Sequence, residues 1–200
     1  MGVAVVDYNA GNIYSVVHAL ERLGENVQVT DDPMVINQAD HVIFPGQGEA
    51  GCTMAYLHEK GLDRVIRQLK QPVLGICIGM QLMCAHSEEG DTECLGIFDA
   101  KVTKFVAEER AQKIPHMGWN TLTHLGSPLF EGLKEEDFVY FIHSYYVPLA
   151  DYTIARTDYI HPYSAAIHQG NFHAVQFHPE KSGKVGERIL KNFLSIPSRE

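Results

Sequence analysis

No apolar run in this 200-residue chain is long enough to cross a bilayer. The longest uncharged stretch, residues 71–87, falls short of the roughly 20 residues a spanning helix needs. It is also broken by Pro72, Gly75, Gly79, Gln81 and His86. Leader features are missing as well. The opening Met1-Gly2-Val3-Ala4-Val5-Val6 has no basic residue and meets Asp7 before an apolar region develops, and Val6 breaks the myristoylation pattern. Basic clusters are scarce: 16 Lys and Arg, scattered along the chain, face 25 Asp and Glu, a net charge of −9. Nucleic acid and membrane are therefore not expected partners. The four cysteines, Cys52, Cys77, Cys84 and Cys94, contain no C-x-x-C pair in a chain large enough to fold without staples, so reduced thiols and a cytoplasmic setting are expected.

What is present is an ordinary globular composition, 45% hydrophobic, with no repeat or linker; one domain over residues 1–200 is expected. Val3-Ala4-Val5-Val6 reads as a strand, followed by the turn residues 8–12 and an amphipathic helix over residues 13–23 with Ile13, Val16, Val17, Leu20 and Leu23 on one side. Val27-Gln28-Val29, His41-Val42-Ile43-Phe44 and Val73-Leu74-Gly75-Ile76 read as further strands, and Asp32-Pro33 as a helix start with proline at the first position. Strands alternating with helices predict an α/β fold, a mostly parallel central sheet flanked by helices, with ligands at the carboxyl ends of its strands. Past about residue 100 the runs 138–142, 152–157, 163–168 and 172–177 predict an antiparallel or mixed C-terminal extension. Gln169-Gly170-Asn171 forms a hairpin turn, and a closing helix spans 183–194.

The chemistry is expected in the loops after the strands. Gly75-Ile76-Cys77-Ile78-Gly79 follows a strand and opens a helical pattern, the context of a nucleophile elbow. Its glycines stand where a Cβ would crowd the sharp turn, and the helix N-terminus favours thiolate at Cys77. A buried structural cysteine is the plainer alternative, and it is the reading kept for the other three. Gln176-Phe177-His178-Pro179-Glu180 lies just past the last strand; Pro179 is expected to keep the backbone extended so that His178 and Glu180 project to one side, base beside orienter. The Gly46-Gln47-Gly48 loop follows another strand and could aim backbone N–H groups at an oxyanion together with the N–H after Cys77. His168, His173 and His178, five apart, do not read as a metal site: His173 and His178 have opposite parity and the turn separates His168 from both.

This constellation resembles the class I, triad-type glutamine amidotransferases, which release ammonia from glutamine through a γ-glutamyl thioester. Within them, residues 8–16, Pro115-His116-Met117-Gly118-Trp119-Asn120, Phe141-Ile142-His143-Ser144-Tyr145 and residues 176–182 are similar to the glutaminase subunits of imidazole glycerol phosphate synthases. The resemblance implies Cys77 as nucleophile, His178 as base and acid, and Glu180 as orienter. It implies that Gln81, His143, Ser144 and Tyr145 hold glutamine, and that Gly46, Gly48 and Gly79 shape the oxyanion site. Asn12, Trp119, Asn120 and Lys181 would lie near a cyclase subunit that receives the ammonia and makes imidazole glycerol phosphate and an aminoimidazole carboxamide ribotide in histidine biosynthesis. A core anchor is the alternative for Trp119, the only tryptophan. No cofactor or metal is implied. Gln47 and Ile78 depart from the Val and Leu common at those family positions. A glutaminase serving a pyridoxal phosphate or anthranilate synthase, or a non-catalytic regulatory subunit of the same fold, are the alternative functions.

Overall fold

The computed structural model describes residues 2–8, 13–46, 48–109 and 112–198. Its strands are β1 Val3–Val6, β2 Val27–Thr30, β3 His41–Phe44, β4 Val73–Ile76, β5 Cys84–Ser87, β6 Thr92–Glu93, β7 Phe98–Lys104, β8 His116–Thr121, β9 Phe138–His143, β10 Tyr145–Tyr146, β11 Thr153–Asp158, β12 Pro162–Gln169 and β13 Phe172–Val175. The α-helices are α1 Tyr14–Arg22, α2 Pro33–Gln38, α3 Ala50–Lys60, α4 Leu62–Gln68, α5 Ile78–Leu82 and α6 Gly183–Leu194. Asp32 caps α2 as its position predicts, its carboxylate accepting from the Met34 N–H at 2.8 Å with Pro33 at the first turn.

The main sheet has the order β11-β12-β13-β4-β3-β1-β2, in which β2, β1, β3, β4 and β13 run parallel and β12 alone is reversed, pairing antiparallel with β13 on one side and β11 on the other. Alternation along β1 sends Val3 and Val5 to one face and Ala4 and Val6 to the other. The two faces build separate cores. Val3, Val5, Ile43, Leu74 and Ile76 pack with Leu20 of α1 and Ile189, Leu190 and Phe193 of α6. Ala4, Val6, Phe44 and Val73 pack with Ile36 of α2, Leu57 of α3 and Ile66 of α4. Burial on both faces explains why β1, β3 and β4 read as continuous apolar runs rather than alternating ones.

Two features depart from the sequence reading. The C-terminal half is not only an extension: β13 returns to the centre of the sheet and pairs in parallel with β4, Phe172 opposite Val73. The elbow helix α5 lasts five residues before the chain turns into β5. A ribbon of β8 and β9, paired from His116↔His143 to Thr121↔Phe138, forms a separate sheet and brings the Ile142 carbonyl to 3.8 Å from Cys77 Sγ, just past the end of β4. Among the described residues no helix is long and apolar enough to cross a membrane.

Candidate active site

Cys77 sits between β4 and α5 with φ 50° and ψ −109°, a region that strains any side chain carrying a Cβ. Its N–H donates to the Val175 carbonyl at 2.8 Å, and its own carbonyl accepts from Met80 and Gln81 as α5 begins. The glycines work as the spacing predicts. A Cβ on Gly75 would lie 2.9 Å from Met83 Sδ and 3.0 Å from the Gly79 carbonyl carbon. One on Gly79 would lie 2.2 Å from the Phe44 carbonyl oxygen, and one on Gly46 would lie 2.2 Å from that of Ile76. The elbow and the Gly46 loop therefore interlock backbone to backbone. Gln47, in the middle of the loop expected to supply oxyanion donors, falls outside the described residues, as does Asn12.

The partner base arrives from the far end of the chain. The N–H of His178 donates to the Tyr140 carbonyl at 2.9 Å, and Ser182 Oγ donates to the His178 carbonyl at 2.6 Å. The route differs from the extended segment expected of Pro179: only His178 is extended, and Pro179–Lys181 form a 3₁₀ turn. Proline's fixed φ suits the first position of such a turn, which folds Glu180 back onto the ring. His178 Nδ1 stands 2.7 Å from Glu180 Oε1, both side chains 3% exposed. A carboxylate accepts only, so Nδ1 carries the proton and Nε2 is the nitrogen left for Cys77. Burial opposes a charge on His178, but the hydrogen bond and charge of Cys77, then those of Glu180, outweigh it and push the imidazole up to about 10. The raised value stabilises the fold fully below about 6.5 and progressively less as pH climbs through about 10. The denaturant midpoint of the native chain minus that of His178→Gln should therefore shrink from pH 6 to pH 10; a pH-independent difference would contradict the pairing.

Cys77, His178, Gly46, Gly48, Ile78, Ile142 and Lys181 line one open cavity of about 250 Å³ at the carboxyl ends of the strands. Gln81 lies behind it, 3% exposed, its Nε2 donating to the Tyr145 carbonyl at 2.8 Å and to Gln176 Oε1 at 2.9 Å. Gln176 in turn points its Nε2 at Cys77 Sγ, 3.7 Å away. His143 does not line the cavity. Its Nδ1 meets the Tyr145 carbonyl at 2.7 Å and its Nε2 the Tyr163 hydroxyl at 3.0 Å, so an imidazole expected at the substrate is turned into the core with both nitrogens engaged. Ser144 and Tyr145 continue that strand-to-strand corner, Phe105 donating to the Ser144 carbonyl. The sequence assigns Gln176 no role, and a glutamine at the end of an apolar strand is the only sign of one.

Trp119 is 55% exposed, which removes the core-anchor alternative. Asn120 points inward instead, donating to the Asp158 carbonyl at 2.7 Å. Of the remaining thiols, burial pushes Cys84 up and Cys94 up to about 12, while Cys52 is exposed on α3 with Glu49 raising it. The expected separation of His168 from His173 is wrong, because the tight hairpin turn makes them cross-strand partners whose rings stack at 4.3 Å. Among the described residues, no three His, Cys, Asp or Glu side chains converge as metal ligands.

Residues 4–196 match the model of the family "Glutamine amidotransferase class-I". The chain belongs to the class-I glutamine amidotransferase family. It is 61% identical to the imidazole glycerol phosphate synthase subunit HisH of Bacteroides thetaiotaomicron over 98% of this chain and 100% of that protein. It is 46% identical to HisH 2 of Legionella pneumophila strain Lens, over 98% and 99%. Among solved structures, a glutamine amidotransferase superposes with a TM-score of 0.73 at 21% identity, covering 96% of this chain and 97% of that one. PurLQS from Thermotoga maritima gives 0.67 at 17%, covering 96% of each. These two share the fold.

Proposed function

We propose that this chain, acting as one domain in the cytoplasm, is the glutaminase subunit of an imidazole glycerol phosphate synthase and hands ammonia to a cyclase subunit. The observation that carries the chemistry is the Cys77, His178 and Glu180 constellation: the thiol and the imidazole line one cavity, and the imidazole is locked in one tautomer by a buried carboxylate. The Cys77 thiolate adds to the γ-carboxamide carbon of glutamine, and the negative charge develops on the amide oxygen beside the Ile78 N–H and the Gly46 to Gly48 loop. As the C–N bond breaks, the His178 imidazolium delivers its Nε2 proton to the leaving nitrogen, and ammonia departs. Nε2 then takes a proton from water, whose oxygen attacks the γ-glutamyl thioester; glutamate leaves and the thiolate is restored. Glu180 holds the ring and its charge throughout.

Free ammonia released to solvent would be protonated and diluted, so the cavity's open side needs a docked acceptor. Such a surface lies beside it: the outer face of the β8–β9 ribbon exposes Met117, Trp119, Phe138 and Ile142 on one side of the pleat, Met117 directly opposite Ile142 and Trp119 opposite Tyr140, and Ile142 also lines the cavity. An apolar patch of this kind marks a protein interface. Lys181 at the rim completes it. Trp119→Ala is expected to weaken binding of the cyclase about 30-fold, as loss of a central aromatic anchor does; calorimetric titration of the variant checks this, and wild-type affinity would place the partner elsewhere. The functional test is glutamate release from glutamine by the purified chain, alone and with the cyclase, each with and without the cyclase's nucleotide substrate. Turnover dependent on the cyclase supports the assignment, and turnover indifferent to it removes the coupling.

A further inference from the structure

The ribbon that exposes Trp119 on one face carries a buried line of polar groups on the other. His116 is 2% exposed and lies between the rings of Phe141, at 4.8 Å and 16°, and Tyr159, at 4.0 Å and 10°. Its Nδ1 is 2.9 Å from the Tyr163 hydroxyl, which is 3.0 Å from His143 Nε2, and His143 Nδ1 is 2.7 Å from the Tyr145 carbonyl. The carbonyl end fixes every proton. A carbonyl only accepts, so Nδ1 of His143 is protonated and Nε2 of the neutral ring accepts; Tyr163 must donate to it, and therefore accepts from His116 Nδ1–H. Nε2 of His116 remains as an acceptor, with Asn120 Nδ2 3.5 Å away. Burial holds both rings neutral, His116 down to about 4 and His143 to about 3.

The same Tyr145 carbonyl is where Gln81 is anchored. One proton of its Nε2 goes to that carbonyl and the other to Gln176, so its amide cannot turn over without losing both bonds. Its Oε1 makes no hydrogen bond among the described residues and is the polar atom it can offer to a ligand. We propose that Tyr163, His143 and His116 are positioning residues for glutamine: their one-directional hydrogen bonds fix the Tyr145 carbonyl, and with it the Gln81 amide whose Oε1 accepts from the substrate's α-ammonium. The inference rests on the reading of Gln81 as a glutamine contact. None of the three positioning residues touches the reacting atoms in this scheme, so they act on substrate affinity and not on the chemical step.

Tyr163→Phe deletes the hydroxyl and keeps the ring; His116→Phe deletes the upstream donor and keeps the stack. Steady-state glutaminase kinetics are measured on the chain assembled with its cyclase and nucleotide. Tyr163→Phe is expected to raise KM for glutamine about tenfold, the loss of about one hydrogen bond, with kcat within about twofold. His116→Phe should raise KM less, and the double variant should match Tyr163→Phe alone, because both act along one chain. An unchanged KM in Tyr163→Phe, KM effects that multiply in the double variant, or a fall in kcat with KM unmoved would overturn the inference. Should Tyr163→Phe melt below the assay temperature, His116→Phe decides alone, and a wild-type KM there overturns it. Failure of the unmutated pair to turn over glutamine would instead count against the proposed function.

Discussion

Cys77→Ser should lower glutamine hydrolysis by about 10⁴-fold, the order of loss seen when a nucleophile is removed from groups that act as a unit. The hydroxyl is close in size to the thiol but a far weaker nucleophile, so the attacking group is lost while the fold is kept. Steady-state glutamate release measures it. Residual activity above about 1% of wild type would mean that Cys77 is not the nucleophile. The backbone supplies an independent sign. With φ at 50°, Cys77 occupies a conformation that glycine adopts without strain. Cys77→Gly is therefore expected to be more stable than Cys77→Ala by about 1 kcal/mol, the reverse of the usual order at a buried position. Equal melting temperatures for the two would show that the elbow stores no strain.

The second large effect concerns packing around the elbow. Gly79→Ala places a methyl 2.2 Å from the Phe44 carbonyl oxygen and 3.1 Å from that of Pro45, both backbone atoms of β3 and its following loop. No side chain can swing aside there. Relief requires α5 to move away from β3, and such overpacking costs about 3 kcal/mol, or a melting temperature lower by about 9 °C in a chain of this size. Glutaminase activity should fall with it, since the same movement displaces Cys77 from the Gly46 loop. Gly170→Ala is the control: a Cβ there meets nothing within 4 Å, and only its φ of +60° opposes the change, at about 1 kcal/mol. If Gly79→Ala melts no lower than Gly170→Ala, the backbone interlock is not a constraint.

The parts of this protein legible in its sequence are those written in local chemistry. Glycine spacing around Cys77, the β-branched runs of β1, β3 and β4, and Pro33 behind Asp32 each state a backbone requirement within a few residues. The pairing of His178 with Glu180 is also legible, though through a tight 3₁₀ turn rather than an extended segment, since proline suits both. What cannot be read depends on where distant segments meet. Periodicity gives no hint that β13 pairs with β4, nearly a hundred residues earlier, and so none that Gln176 reaches Cys77. His143 is expected at the substrate because its neighbours resemble a substrate-binding segment; strand alternation turns its ring inward to Tyr163. Trp119 alternates the other way and is 55% exposed, against the burial expected of a lone tryptophan.

The central claim is that one thiol of four carries the chemistry, and the most direct test is covalent. The chain, assembled with its cyclase and nucleotide, is treated with a glutamine-mimicking electrophile and digested, and each cysteine-containing peptide is weighed by mass spectrometry. The adduct should form on Cys77 alone and be suppressed by excess glutamine, leaving exposed Cys52 and buried Cys84 and Cys94 unmodified. An adduct spread over the other cysteines, or absent from Cys77, would contradict it.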